Sequence, residues 1–318
     1  MLRAVLALLS LAVPATAGDF LLVHPIDCDL DGPCYIQQYV DHDATDAATD
    51  FTCAGLTYNG HKGTDFALPD RSYINRGIDV LASASGTVKG IRDGMPDTGY
   101  SDTTAAAVQD RECGNGVVVG HAEGWETQYC HLRSGSIRVK RGDVISAGTV
   151  LGQVGMSGRA EFPHVHLSVR QDGRVVDPFD PDGEITCGAP DRTTLWADAP
   201  QYRAGGIISI GTSTAIPDFA EIRVGDVAGA TARGDALVIW SYLFGVRKND
   251  ILRLDLRGPD RITIARNIEI ERNQAQAFRA IGKKRKSESW PAGRYAGEAT
   301  LLRDGVEIDR QSLTLTLP

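Results

Sequence analysis

Apolar and polar positions alternate in short runs along two stretches of the chain, and each run predicts a strand. Between Gly60 and Pro178 the runs are Thr87-Val-Lys-Gly-Ile, Val117-Val-Val, Thr127-Gln-Tyr, Ser136-Ile-Arg-Val, Thr149-Val-Leu and His164-Val-His-Leu-Ser-Val, with glycines between them. That spacing predicts an antiparallel sheet assembly. Residues 93–112, rich in Gly, Pro, Asp and Thr, interrupt it without any period and are expected to be a surface loop. Beyond a Pro/Gly-bearing linker at 188–205 the alternation resumes over residues 206–318. The runs there are Ile207-Ile-Ser-Ile, Ala220-Glu-Ile-Arg-Val, Ala236 to Leu243, Ile251-Leu-Arg-Leu-Asp-Leu, Tyr295 to Leu302 and Glu307 to Leu317. Gln274 to Lys286 is expected as one short helix or a basic loop, and Arg303-Asp304-Gly305 as a hairpin turn. The chain is therefore expected to be all-β, and its C-terminal part an Ig-like β-sandwich accessory domain.

The N-terminus sets the expected compartment. Arg3 is followed by an apolar run from Ala4 to Val13, then Pro14 and the small–x–small triplet Ala15-Thr16-Ala17, which predicts a cleaved export signal over residues 1–17. Residues 18–54 are polar and Asp-rich and are expected to be a cysteine-bearing arm. Six cysteines, an even number, fit an oxidising compartment and up to three disulfides. The strands flanking a turn at Ala122 to Gly124 bring Cys113 and Cys130 together; the pairing of Cys28, Cys34, Cys53 and Cys187 stays open. A formal charge of −8 argues against a nucleic-acid binder and against docking on anionic membranes. With neither a lipobox cysteine after the signal nor a wall-sorting tail, soluble export to the periplasm or the medium is expected.

Histidine is scarce, at seven residues, and four of the seven fall in patterned settings. His61-Lys-Gly-Thr-Asp65 offers an imidazole and a carboxylate across a glycine. His164-Val-His166 puts two imidazoles on one face of a strand, and Tyr129-Cys-His131-Leu brings a third on another strand. Two imidazoles, one carboxylate and an open fourth position suit a catalytic zinc.

Taken in order, these motifs resemble the LytM/lysostaphin-type zinc endopeptidases, the M23 peptidase family. Ala82-Ser-Ala-Ser-Gly86-Thr-Val, Gly114-Asn-Gly-Val-Val-Val, the run Gly142 to Gly158 and Asp177-Pro178 extend the resemblance over residues 55–178. It implies a peptidase domain, bounded here at 55–187, with antiparallel sheets in an open two-sheet arrangement around a groove. It implies Zn²⁺ held by His61, Asp65 and His166, with His131 and His164 handling the water and the oxyanion, and peptidoglycan peptides as substrate. Two other classes compete: a non-catalytic or latent activator of other cell-wall hydrolases, and an exported protease for non-wall proteins. A protein partner for the C-terminal domain follows from architecture alone.

The other chemistry-bearing residues receive plainer expectations. His24, His42 and His121 read as surface or capping residues, and the Asp run at 41–50 as solvated rather than calcium-binding. Trp125 and Tyr129 are divided between groove and core, and Lys283-Lys-Arg-Lys286 reads as a solvated loop.

Overall fold

A computed structural model describes residues 20–185, 187 and 193–318; the expected export signal and residues 188–192 of the expected linker lie outside them. The N-terminal half carries ten strands: β1 (Tyr35–Gln38), β2 (Thr64–Ala67), β3 (Asp79–Leu81), β4 (Gly86–Arg92), β5 (Asn115–Gly120), β6 (Trp125–Leu132), β7 (Val144–Ile145), β8 (Val150–Gln153), β9 (His164–Gln171) and β10 (Arg174–Val176). Eight form one sheet in the order β1-β2-β9-β6-β5-β4-β7, with β10 added to β9, while β3 and β8 make a small second sheet. All of these pairings are antiparallel.

Strand β9 shows why the sheet forms where it does. Its two-residue period sends Val165, Leu167 and Val169 into the core at 0–1% exposure, and His164, His166 and Ser168 to the other face. Phe66 of β2 and Val117 and Val119 of β5 join the same apolar layer. Each fully buried side chain of this kind contributes about 1.5–3 kcal/mol. Residues of the expected arm share that core: Leu22, Ile26, Ile36 and Tyr39 are buried in it, and β1 is the sheet's edge strand. Disulfides link Cys28–Cys34, Cys53–Cys187 and Cys113–Cys130, the last as expected. Ser136 to Val139, expected as a strand, runs instead as irregular chain. Residues 93–112 form a loop with one helical turn, α1 (Ala105–Val108). Asp97 fixes it by accepting from the Ser134 and Met156 amides at 2.9 and 2.8 Å.

The C-terminal half is a two-sheet sandwich of β11 (Gly206–Ser213), β12 (Ala236–Val246), β13 (Ile251–Arg257), β14 (Thr263–Glu269), β15 (Gln274–Lys284), β16 (Gly293–Arg303) and β17 (Val306–Leu317). Its sheets are β11-β12-β15 and β14-β13-β16-β17, with a shared core that includes Leu237, Ile239, Leu252, Leu254, Tyr295 and Leu301. Constant-type immunoglobulin domains add the fourth strand to the first sheet; here it extends the second. Asp304 and Gly305 both have positive φ, 52° and 81°, so the last hairpin turns where expected.

Two local expectations give way. Gln274–Lys284 is a strand, because pairing with β12 from Ala236↔Lys284 to Val246↔Gln274 overrides its helix-forming residues. Ala220–Val224, expected as a strand, lies in α2 (Phe219–Val224). Glu221 there accepts from the Asp218 amide at 2.9 Å, and Gly225, at φ 77°, ends the helix. The two halves meet on an apolar patch in which Tyr35 and Ala67 pack with Ile208, Ile222, Tyr242 and Phe244. Among the described residues no helix is long and apolar enough to cross a membrane.

Candidate functional site

Strand register assembles most of the site. In the β2–β9 pair Asp65 sits opposite His166 and Ala67 opposite His164, so Asp65 joins both histidines on the face turned away from the core. His61 enters from the turn before β2, and Gly63 is what allows it. A Cβ on Gly63 would lie 2.5 Å from His166 Nε2 and 2.6 Å from the Leu167 carbonyl oxygen. The glycine in the His61–Asp65 motif is therefore a clearance for the second imidazole.

His131 arrives by a different route. In the β5–β6 pair Asn115 faces Leu132 and Val117 faces Tyr129, so Gly116 stands against both Cys130 and His131. This is a bulge of two residues against one, and His131 adopts a left-handed φ of 66° within it. Its amide donates to the Cys113 carbonyl at 2.8 Å, next to the Cys113–Cys130 disulfide. The bulge turns the ring toward His164, with centroids 4.6 Å apart.

Hydrogen bonds to backbone carbonyls choose the working atom of three rings. His61, His131 and His164 donate Nδ1–H to the carbonyls of Tyr39, Ser157 and Phe162 at 2.6, 2.8 and 2.8 Å, which leaves Nε2 free on each. His166 presents Nδ1, with Nε2 3.0 Å from Ser168 Oγ. His61 Nε2, Asp65 Oδ1 and His166 Nδ1 then converge at separations of 3.3, 2.8 and 3.2 Å. A tetrahedral dication bound at about 2.0–2.1 Å spaces its ligands by about 3.3 Å, so the donor set fits one. Three electron-rich atoms this close and this buried call for a cation between them.

Charge sorts the same residues. Burial pushes the Asp65 carboxyl up, but His61, His164 and the hydrogen bond from His166 outweigh it and hold it well below the usual carboxylate range. His131 is held well below the usual imidazole value by burial first, then by His164 and His166. Burial lowers His164 as well, outweighing Asp65. Burial pulls His61 down too, but Asp65 outweighs it and raises that imidazole, so the carboxylate anion pairs with His61 while His131 and His164 are biased toward the neutral form.

Comparison with known proteins finds a family match over this constellation. Residues 59–178 match the model of peptidase family M23. The matched stretch takes in His61, Asp65, His131, His164 and His166. Over 135 residues it is 35% identical to a DD-carboxypeptidase/endopeptidase, Mpg, of Neisseria meningitidis, covering 41% of this chain and 25% of that protein. Over 117 residues it is 32% identical to the peptidoglycan DD-endopeptidase ShyA of Vibrio cholerae, covering 37% and 22%. The chain thus spans about a quarter of the length of these curated relatives. Among solved structures it is similar to the catalytic domain of the prophage-encoded M23 protein EnpA from Enterococcus faecalis. That match has 26% identity and a TM-score of 0.30, over 45% of this chain and 89% of that one.

Around these histidines lies a cleft of ≈ 450 Å³, lined by Asp65, His131, His164 and His166. Its walls also hold residues that motif reading missed: Gln37 and Tyr58 before the matched segment, Arg159 within it, and Arg223 and Gln276 in the sandwich. Tyr58 stands over His61 with ring centroids 4.5 Å apart, and burial together with Asp65 pushes its phenol up to about 12. Its position three residues before the histidine of the motif is the only sequence signal for it.

The remaining expectations fall outside the cleft. Tyr129 is fully buried, with its hydroxyl accepting from the Ser83 amide at 2.6 Å, and Trp125 stacks on Phe20. His24 and His121 bond to the Asp198 and Ser85 carbonyls. His42 lies 2.8 Å from Asp177. The Asp run is not simply solvated: Asp41, Asp43 and Asp50 accept backbone amides and fix the loop, with Asp50 at 0% exposure.

Proposed function

We propose that this protein is an exported zinc metallo-endopeptidase that hydrolyses peptide cross-links of bacterial peptidoglycan. The observation that carries the reading is the convergence of His61, Asp65 and His166 beside the facing pair His131 and His164 in one open cleft. His61, Asp65 and His166 would hold the zinc, as three protein ligands with one position left for chemistry. When bound, zinc supplies a Lewis acid that makes water a nucleophile near neutral pH.

The chain's own residues do the rest. Neutral His131 and His164 each present Nε2 to the cleft, so either accepts a proton from the attacking water. Once protonated, that imidazole is the donor that returns the proton to the leaving nitrogen. The other ring, whose Nδ1–H is spent on a backbone carbonyl, steadies the negative charge that grows on the carbonyl oxygen when its own Nε2 carries a proton. The carbonyls of Tyr39, Ser157 and Phe162 fix ring orientation throughout. Of the two segments placed to occlude the groove in the latent reading, 93–112 contributes no residue to this cleft, whereas the arm lines it with Gln37 and Gln38.

The test is mass spectrometry of fragments released from purified sacculi, with and without a zinc chelator. Chelator-sensitive new peptide ends are expected, and they name the bond. Intact sacculi alongside a cut protein substrate would transfer the reading to non-wall proteins, and no release at all would favour the activator.

A further inference from the structure

The cleft has walls from two domains. The histidine face of β2, β9 and β6 forms the floor, and Phe219 and Arg223 of α2 with Ala275 and Gln276 of β15 bring the sandwich to its side. That side is bonded in place. Gln37 donates to the Ala275 carbonyl at 2.9 Å, Gln276 donates to Gln37 Oε1 at 3.1 Å, and Tyr242 donates its hydroxyl to Gln276 Oε1 at 2.7 Å. Behind these bonds lies the apolar contact of Tyr35 and Ala67 with Tyr242 and Phe244. The polar strip and the apolar patch together seat this side of the sandwich beside the histidines.

Two guanidinium groups face this cleft, Arg159 from the loop before β9 and Arg223 from α2. The ion pairs of the described residues involve other arginines. Arg223 gives one N–H to the Glu161 carbonyl and lies 5.9 Å from the Phe219 ring, while Arg159 lies over Tyr100 at 5.3 Å. Each group is thus oriented by neighbours while most of its donor fork is unspent. The Glu161 carboxylate also lines the cleft and pairs with neither. Two oriented guanidiniums without counter-ions in a concave site complement a planar anion, and a carboxylate matches their fork geometry.

We infer that Arg223, with Arg159, is the specificity determinant for a substrate carboxylate, the free α-carboxylate of the residue whose amide nitrogen is released. The identity of the ligand as a peptide rests on the function proposed above; the anion site itself rests on the two arginines. Under this assignment the sandwich is part of the substrate site, since half of the carboxylate clamp belongs to it.

The test uses the full chain supplied with zinc and carrying His131→Ala, so that substrate binds without turnover. It is titrated calorimetrically with a cross-linked peptide dimer whose carboxylate beside the scissile amide is free, and with the same dimer amidated there. The free form is expected to bind about tenfold more tightly or better, as for a charge-assisted hydrogen-bonded pair. R223Q is expected to remove most of that preference, R223K to keep part of it, and R159Q to reduce it. Equal affinity for the two dimers, or an undiminished preference in both Gln variants, overturns the assignment. R159Q alone decides if R223Q fails to fold, because the Arg159 side chain makes no bond to the wall. Cleavage by the protein with His131 intact is scored separately. A carboxylate preference without cleavage removes the peptidase reading and leaves this one, and cleavage without preference does the reverse.

Discussion

His131 faces His164 across 4.6 Å between ring centroids, although only one of the two obeys strand alternation. His164 is placed by the period of β9, His131 by a bulge and a left-handed backbone. A non-glycine residue held at positive φ costs of order 1 kcal/mol or more, and such strain persists where the surroundings over-determine it. Here the Cys113 carbonyl, the Ser157 carbonyl and the neighbouring disulfide do so.

The two kinds of histidine separate on mutation. His166→Ala is expected to lose zinc and activity together. His131→Ala is expected to keep one zinc per chain and lose activity by roughly 10²–10⁴-fold, the range for a positioned acid–base group. Elemental analysis beside cleavage of a cross-linked peptide dimer measures both, and zinc retained by His166→Ala would remove the ligand assignment.

Gly63→Ala tests the clearance argument. The new methyl would press on His166 Nε2 and the Leu167 carbonyl oxygen, so the expected effect is weakened metal binding with the sheet intact. Competition with a zinc-binding dye reads the affinity, and circular dichroism reads the sheet. Wild-type affinity would mean that the His61 turn can move aside.

Replacing Cys113 and Cys130 together with serine opens a loop of 17 residues. A crosslink of that span stabilises by about 3 kcal/mol in the chain-entropy account. Denaturant unfolding should show a loss near that size. Activity should fall further than zinc content, since His131 follows Cys130 directly within the bulge while His166 meets Cys130 only across the β6–β9 ladder.

His42 predicts a pH effect away from the metal. Burial pulls its imidazole down, but Asp177, followed by Asp180 and Asp41, outweighs burial and raises it. Stability from a raised imidazole is complete below the unfolded value of about 6.5 and is lost as pH rises through the higher folded value. His42→Gln should therefore destabilise the protein more at pH 6 than at pH 8 in thermal melts. An equal loss at both pH values would show that the contact with Asp177 acts without charge.

What could be read from the sequence follows the range of each interaction. His164 and His166 share a face because of a two-residue period, and the His61–Asp65 motif carries its own glycine; both are local signals. His131 also belongs in the site, but the bulge that delivers it depends on the register of β5 against β6, which no run of residues encodes. Strand β15 reads as helix or loop until β12 pairs with it, and α2 reads as a strand unless Asp218 and Glu221 are taken as a capping box. Arg223 and Gln276 were invisible as site residues, since they reach the cleft only through packing between halves of the chain.

The Cys53–Cys187 bridge spans 134 residues, and every histidine and carboxylate assigned here to catalysis, from His61 to His166, lies inside the ring it closes. A single backbone cut anywhere between them would leave two fragments still tethered, able to re-form the same sheet without a bimolecular encounter. The sandwich lies outside that ring. The histidine-bearing half is thus held together through one nick, whereas Arg223 keeps its place beside it only while the chain between the two halves is uncut.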